Sequence, residues 1–448
     1  MSDTATAIDT LLFPRWILPI APAGLLEQHA LAIAGGRIVG LLPAADARRL
    51  AARQVIELPD HLLMPGLVNA HSHAPMTLLR GFADDLPLQE WLNEQIWPAE
   101  AAWVGEEFVR DGTRLALAEM LLSGTTCFAD MYFFPDVIAQ TALDAGMRAR
   151  LHFPIFDFPS AWGSGAEDYI HKGVTLYDHY KPSGLISVGF GPHAPYTISD
   201  GPLEKVAMLA AELDAPIQIH LHETQQEVDD SLRQFGERPL ARLARLGLVG
   251  PRTQCVHATA LDDDDIACLT RANAHVIHCP ESNLKLASGF CPVQKLLDAG
   301  VNVGLGTDGA ASNNDLDLFG ELRTAALLAK AVAGNAAALP AEAALRMATL
   351  DSARALGLDG EIGSLETGKW ADVIALDLSA LPQQPLYHPA SQLVYGNVSA
   401  CVTHAWVAGR LLLENRQLLT LNPLAIGERA RDWQRRIAGG KTAVQAAS

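Results

Sequence analysis

The sequence predicts an α/β fold, a (β/α)8 TIM barrel with a small β-sandwich domain built from both chain ends. Three observations carry that expectation. Short β-rich runs alternate with helical patterns from residue 63 to about 310, polar residues recur where those runs finish, and the two chain ends share a different texture of short strands and Gly turns.

The runs are "LMPGLVNAH", "GTTCFADM", "RARLHFPIF", "ISVGFGPHA", "APIQIHLHE", "TQCVHATA", "AHVIHCP" and "VNVGLGTD". Each is rich in β-formers or bounded by Gly and Pro, and together they match the strand number of a barrel. Between the first two, "EEFVRDGTRLALAEMLLSG" places Leu115, Ala118 and Leu122 at i, i+3 and i+7 with Gly124 as a stop, which is the pattern of an outer helix. "PLEKVAMLAAELDA" repeats it between runs four and five. Before the barrel, "HALAIAGGRIVGLLP" and "VIELPDHL" are strand-like, as are "GSLETGKWADVIALDL" and "VTHAWVAGRLLLENRQL" after it. The expected division is therefore 1–62 plus 366–422 for the small β domain, 63–365 for the barrel, and 423–448 for a C-terminal helix and tail. Within the last, "NPLAIGERARDWQRRIAGG" has the pattern of a surface helix and "KTAVQAAS" that of a frayed end.

With 448 residues and 49% hydrophobic composition, the chain can bury a large core. A formal net charge of -18 argues against nucleic acid, whose binding depends on Lys and Arg neutralising phosphates, and favours a small-molecule partner. The six cysteines, Cys127, Cys255, Cys268, Cys279, Cys291 and Cys401, form no CxxC pair, which fits a reducing compartment. "LLFPRWILPIAPAGLL" is interrupted by Pro14, Pro19 and Pro22, contains Arg15 and has no basic stretch before it, so it does not match a signal peptide. No uninterrupted apolar run of about 18 residues occurs, so a cytoplasmic protein with no membrane partner is expected. A homo-oligomer is compatible with the pattern, which marks no interface.

Residues i and i+2 of a strand share a face, so His71 and His73 in "MPGLVNAHSH" can aim into one cavity at the end of the first run. Barrel enzymes place their sites at that end. Alone, the pair is equally compatible with two hydrogen-bonded or exposed histidines. Later runs add His193 after run four, His220, His222 and Glu223 at run five, His257 at run six and Asp308 closing run eight. Burying so many ionisable groups without partners is costly, and a shared metal and substrate account for the convergence.

"PGLVNAHSH", "HLHE", "VHA" and "GTDG", in that order, resemble the amidohydrolase superfamily, and more narrowly its aminohydrolases acting on purines. "LLRGFADDLPLQEWL", "IWPAE", "GPHAPYT" and "HCPESNLKL" resemble the 5'-methylthioadenosine/S-adenosylhomocysteine deaminase group. The resemblance runs over nearly the whole chain. It implies that His71, His73, His220 and Asp308 hold one divalent metal per subunit, a nitrogen and oxygen set that suits Zn2+ and tolerates Fe2+. His220 and His222 share a strand face, and the family's HxxE pattern selects His220 as ligand and Glu223 as acid/base, leaving His222 a supporting residue. Run four ends on His193 without the lysine that a binuclear site would use, which favours a mononuclear one.

By the same resemblance, Asp308 accepts a proton from water, His257 orients the resulting hydroxide, and Glu223 protonates ring N1. Glu100 would bind ribose hydroxyls and His193 the purine N3. The implied reaction is hydrolytic deamination of an adenosine-type nucleoside to its 6-oxo product and ammonia. Relatives that accept S-adenosylhomocysteine can use arginines between strands three and four, and from Leu151 to Leu232 this chain has none, with Lys172 the candidate replacement. Its substrates are thus expected to be 5'-methylthioadenosine or adenosine ahead of S-adenosylhomocysteine. The alternatives are guanine, 8-oxoguanine, cytosine or s-triazine hydrolysis on the same metal ligands, and an inactive scaffold, which the complete residue set disfavours.

Three further features stay outside this scheme. Trp91, Trp97 and Trp103 can be pocket walls or core, His278 and Cys279 face opposite sides of a strand and cannot readily act as a nucleophile pair, and "LDDDDI" lacks the spacing of a calcium loop and suits an acidic helix start.

Overall fold

The structure, a computed structural model, describes residues 7–445 of the chain. Eight parallel strands pair in chain order: β1 (Leu67–Asn69), β2 (Thr125–Asp130), β3 (Arg148–Ile155), β4 (Ile186–Pro192), β5 (Ile217–Leu221), β6 (Thr253–His257), β7 (His275–His278) and β8 (Asn302–Leu305). The ends of the sheet meet where the Ala70 N–H donates to Leu305 O at 2.8 Å and the Asp308 N–H donates to His71 O at 3.1 Å. β2, β5 and β6 are buried at every residue, because side chains fill the barrel on one face and helices cover the other. The polar residues these strands carry, among them Gln218, His220, Gln254 and His257, are therefore buried as well.

Two glycines permit close approaches that the site requires. A Cβ on Gly306 would lie 2.8 Å from the His71 backbone nitrogen, so only a bare Cα lets the end of β8 pass beside the first histidine. On the outer helix Glu106–Leu122, a Cβ on Gly112 would lie 2.4 Å from Pro75 O; the helix thereby packs directly on the short turn Ala74–Leu79 that follows His73.

Strands from both chain ends form a second, nine-stranded mixed sheet. Its centre is the long strand Ala52–Pro65, parallel to Ile8–Ile17 on one side and antiparallel to Val373–Asp377 on the other. The sandwich expected from the sequence is realised as one hydrogen-bonded sheet curled over its own core, in which Leu12, Leu31, Ile33, Leu63, Val373 and Trp406 pack together. The curl brings its two hairpin tips together, with Ala371 N–H donating to Gly36 O at 2.9 Å and Gly409 N–H to Ala371 O at 3.0 Å. Alternation marks which side chains face inward, but it does not say where hydrogen bonding stops.

The two sheets are joined covalently at Gly66 and electrostatically by a buried ion pair. Arg148, the first residue of β3, donates from Nε to Asp372 Oδ2 at 2.8 Å and from Nη2 to Oδ1 at 3.2 Å, and from Nη1 to Gly184 O at 2.9 Å. Asp372 also accepts the Ala408 N–H at 2.7 Å. The C-terminal helix Pro423–Gln445 packs on the helix Glu106–Leu122: Trp433 is buried against Phe108, and Trp433 Nε1 and Arg429 Nε both donate to Asp111 at 2.9 Å. It continues to Gln445, beyond the fraying expected from Lys441, and residues 446–448 of that expected tail lie outside the described residues. No helix among the described residues is long and apolar enough to cross a membrane.

Because Arg148 and Asp372 satisfy one another out of water, replacing Asp372 with Ala strands a buried cation. The D372A protein is expected to lose about 3–5 kcal/mol of stability, to be read from urea unfolding; a loss below about 1 kcal/mol would mean that solvent reaches the pair.

Candidate active site

Every residue that the sequence places at a strand end is found at the C-terminal mouth of the barrel. His71 and His73 follow β1, His193 follows β4, His220 lies within β5 with Glu223 just beyond it, His257 ends β6, and Asp308 follows β8. The side chains of His71, His73, His220 and Asp308 each offer one ligand atom, and these atoms lie within 4.8 Å of one another. Asp308 Oδ1 is 3.3 Å from His71 Nε2 and 3.2 Å from His73 Nε2, and the Nε2 atoms of His71 and His220 are 3.2 Å apart.

The opposite nitrogen of each ring is engaged. Nδ1 of His71 donates to Gln218 Oε1 at 2.7 Å, Nδ1 of His73 to Met131 O at 2.6 Å, and Nδ1 of His220 to His193 O at 2.7 Å. A neutral ring that donates from Nδ1 must present its Nε2 lone pair, so three lone pairs and a carboxylate oxygen point at one space. Asp308 is aimed in the same way, because its Oδ2 accepts Ser282 Oγ and Ser312 Oγ, each at 2.7 Å, and this leaves Oδ1 for the centre. Burial pushes His220 well below the usual imidazole range and lowers His71. Burial acts against the Asp308 charge, yet the imidazoles of His71 and His73 beside it hold its carboxyl well below the usual range. Converging lone pairs repel unless a cation lies between them. Burial acts against the charged form of His73 too, but the adjacent Asp308 raises it to about 9, so its Nε2 is free for a cation only once that proton is displaced. Once deprotonated, three imidazoles with one carboxylate are the donor set of a divalent metal, and these residues fit one.

His73, His220 and Asp308 of the cluster lie at the floor of a cavity. Glu223 and His257 complete the floor, while Trp91, Trp97, Phe133, Phe156, Phe158 and Tyr196 contribute to the walls. His257 Nδ1 donates to Asn283 Oδ1 at 2.8 Å, and its Nε2 lies 3.7 Å from Glu223 Oε2. Burial, followed by the nearby Asp308 charge, pushes the Glu223 carboxyl up to about 8. Glu100 also lines the cavity, where it accepts the Tyr132 hydroxyl at 2.7 Å and burial pushes it up to about 7. His193 lies with its ring centroid 4.8 Å from that of Phe156, and burial lowers it to about 3, which keeps it neutral.

His222 does not enter the cavity. β5 ends at Leu221, and His222 has φ 52°, so the chain turns and carries its ring away from the face of His220. Its Nε2 accepts the Leu240 N–H at 3.1 Å, and its Nδ1 is 3.4 Å from Asp265 Oδ2. Strand alternation holds only while the strand lasts. Trp91 and Trp97 are wall residues, whereas Trp103 is not among those lining the cavity. Cys279 is fully buried, and burial pushes its thiol well up, which removes it as a nucleophile. "LDDDDI" is a helix start at which Asp262 and Asp265 form a reciprocal capping box. Lys172 Nζ is bound to Asp168 Oδ2 at 2.9 Å and Trp162 O at 2.7 Å and does not line the cavity.

Sequence reasoning missed the residues that aim the ligands. Gln218 was open to detection, being a polar residue in an apolar strand two positions before His220 and on the same face. Ser282, Asn283 and Ser312 carry no such signal. They lie on short helices after β7 and β8 and reach Asp308 and His257 only through the closed barrel.

Residues 62–412 match the amidohydrolase family. A 5-methylthioadenosine/S-adenosylhomocysteine deaminase from Saccharophagus degradans is 58% identical over 434 residues, which are 96% of this chain and 97% of the relative. The crystal structure of an adenosine deaminase from Xanthomonas campestris with bound zinc superposes with a TM-score of 0.95 at 53% identity, covering 96% of this chain and 99% of that one. Atrazine chlorohydrolase from Arthrobacter aurescens, complexed with zinc, superposes at a TM-score of 0.89 with 25% identity over 95% of this chain and 99% of its own. On the span of the family match and the identity to these relatives, the chain belongs to the amidohydrolase family.

Proposed function

We propose that the protein is a metal-dependent hydrolytic deaminase of adenosine-type nucleosides, with 5'-methylthioadenosine and adenosine taken ahead of S-adenosylhomocysteine. The observation that carries this reading is the polarity of the cavity: the metal-type donor cluster, Glu223 and His257 meet at its floor, and its outer walls are aromatic and apolar. The identity to a methylthioadenosine/S-adenosylhomocysteine deaminase and to an adenosine deaminase supports the same substrate class. Among the described residues no lysine or arginine lines the cavity, so a substrate ending in an amino-acid carboxylate has no cation to meet.

His71, His73, His220 and Asp308 would hold the ion, and their nitrogen-rich set suits Zn2+ before Fe2+. When bound, such an ion supplies Lewis acidity that brings the pKa of a water from 15.7 toward about 7. Asp308, kept ionised by its partners, would take one proton from the attacking water. His257, which gives its Nδ1–H to Asn283, presents Nε2 as an acceptor that orients the attacking oxygen toward C6. Glu223, protonated at neutral pH, gives its proton to N1 as the C6–O bond forms. As C6=O forms, Glu223 recovers a proton from the C6 hydroxyl, the proton held by Asp308 passes to the departing amino group, and the C6–N bond breaks to release ammonia. Glu100, braced by Tyr132, faces the ribose hydroxyls, and His193 faces N3 of the base. The six cysteines are unpaired, which supports a cytoplasmic setting.

E223Q is expected to fold and bind metal while kcat falls by about 10²–10⁴, the range for loss of a general acid, as measured by ammonia release. Because Glu223 acts in its acid form and its pKa is raised to about 8, kcat should hold below that pH and fall as pH rises through it; a flat profile from pH 7 to about 10 would remove Glu223 as the acid. Removal of metal by a strong chelator should abolish turnover, and added Zn2+ or Fe2+ should restore it; full turnover by a metal-free preparation would end the mechanism. In a substrate panel, 5'-methylthioadenosine and adenosine should be deaminated with higher kcat/KM than S-adenosylhomocysteine. Hydrolysis of guanine or an s-triazine with no nucleoside turnover would replace the substrate assignment and leave the hydrolase class standing.

A further inference from the structure

The segment that carries Glu223 is held by a carboxylate with no role in the reaction scheme. His222, directly before Glu223, has φ 52°, a conformation costly for a residue with a Cβ. The turn sends the His222 ring outward and the Glu223 carboxyl into the cavity. Both peptide N–H groups of this turn are accepted by one side chain: His222 N–H donates to Glu227 Oε1 at 3.0 Å and Glu223 N–H to Glu227 Oε2 at 2.8 Å. On the other side, Thr259 Oγ1 donates to Glu223 O at 2.7 Å, and the Thr259 N–H donates to His222 O at 2.9 Å.

Glu227 is the third residue of the helix Gln225–Phe235, whose N-cap Thr224 accepts the Glu227 N–H at 3.2 Å. In a capping box the glutamate at this position reaches back to the N–H of the cap residue itself. Here the carboxylate passes the cap and closes on the two residues before it, where the chain leaves β5. A stabilising cap alone would not need that reach. Glu227 is buried, and its two oxygens are each used once by this turn.

We propose that Glu227 is a positioning residue for proton transfer: by clamping the His222 and Glu223 N–H groups it fixes the strained turn that holds the Glu223 carboxyl over the reacting ring. The inference rests on Glu223 being the proton donor. A glutamine at this position keeps one acceptor oxygen and turns an amide N–H toward the second peptide N–H, so one clamp bond is lost while size is kept.

The test uses the purified, metal-loaded full chain with 5'-methylthioadenosine and adenosine as substrates. E227Q should keep its metal stoichiometry and a KM within about threefold of the parent, while kcat falls roughly 10- to 100-fold. E227D, shorter but still with two acceptor oxygens, should fall between the parent and E227Q, and it carries the test if E227Q does not fold. T224A removes the helix cap and leaves the clamp, so its melting temperature should drop by roughly 2 °C with kcat within about twofold of the parent. In an E223Q background, E227Q should lower kcat by less than about twofold more, because the group it positions is already gone. Parental kcat in E227Q, or an equal further loss in the E223Q background, would overturn the inference. Parental turnover by E223Q would instead overturn the proton-donor assignment, and so the two failures are told apart.

Discussion

Three imidazole rings at the mouth of this barrel give up Nδ1 to fixed oxygens, and the rest of the site depends on that constraint. His71 is held by Gln218, His73 by the Met131 carbonyl and His220 by the His193 carbonyl. Each bond fixes both tautomer and ring orientation, so the Nε2 lone pairs are aimed before any ion arrives. The hold on His71 runs deeper, since Gln218 Nε2 donates to Gln254 Oε1 at 2.7 Å and Gln254 Nε2 to Ala355 O at 2.8 Å, through the packed interior of the barrel. A ligand set anchored on strands loses little entropy on binding metal, because the order was established when the barrel closed.

That anchoring also separates the two carboxyl groups on which the chemistry turns. Asp308 and Glu223 share a buried floor, yet the neighbouring histidines and the hydroxyls donated by Ser282 and Ser312 favour the charged form of Asp308, whereas burial and the Asp308 charge favour the neutral form of Glu223. In the proposed mechanism one group thereby accepts a proton and the other donates one at the same pH. Above them the walls are largely hydrocarbon and aromatic.

The parts of this arrangement that were legible in the sequence are those carried by local pattern. Buried parallel strands are short apolar runs, so they could be counted, and a polar residue at the end of such a run is conspicuous; His71, His73, His193, His220, His257 and Asp308 were all visible in this way. The roles proposed for Glu100 and His193 rest on family resemblance, because neither strand nor helix periodicity separates a cavity residue from an exposed one. The outward turn of His222 was hidden because it depends on one backbone dihedral just past the strand. Ser282, Asn283 and Ser312 were hidden because their partners are distant in the chain and meet only after closure. The C-terminal helix was expected from its amphipathic pattern, but its docking through Trp433 and Arg429 on Asp111 depends on a surface that no single segment encodes.

The central claim is that pre-aimed Nε2 atoms and one aspartate oxygen define a single metal position. Anomalous diffraction from crystals of the active enzyme, collected on both sides of the metal absorption edge, tests it most directly. The account predicts one peak per chain, bounded by Nε2 of His71, His73 and His220 and by Oδ1 of Asp308. A peak reached through an Nδ1 atom, a second peak beside His193, or no peak in crystals that still turn over substrate would contradict it.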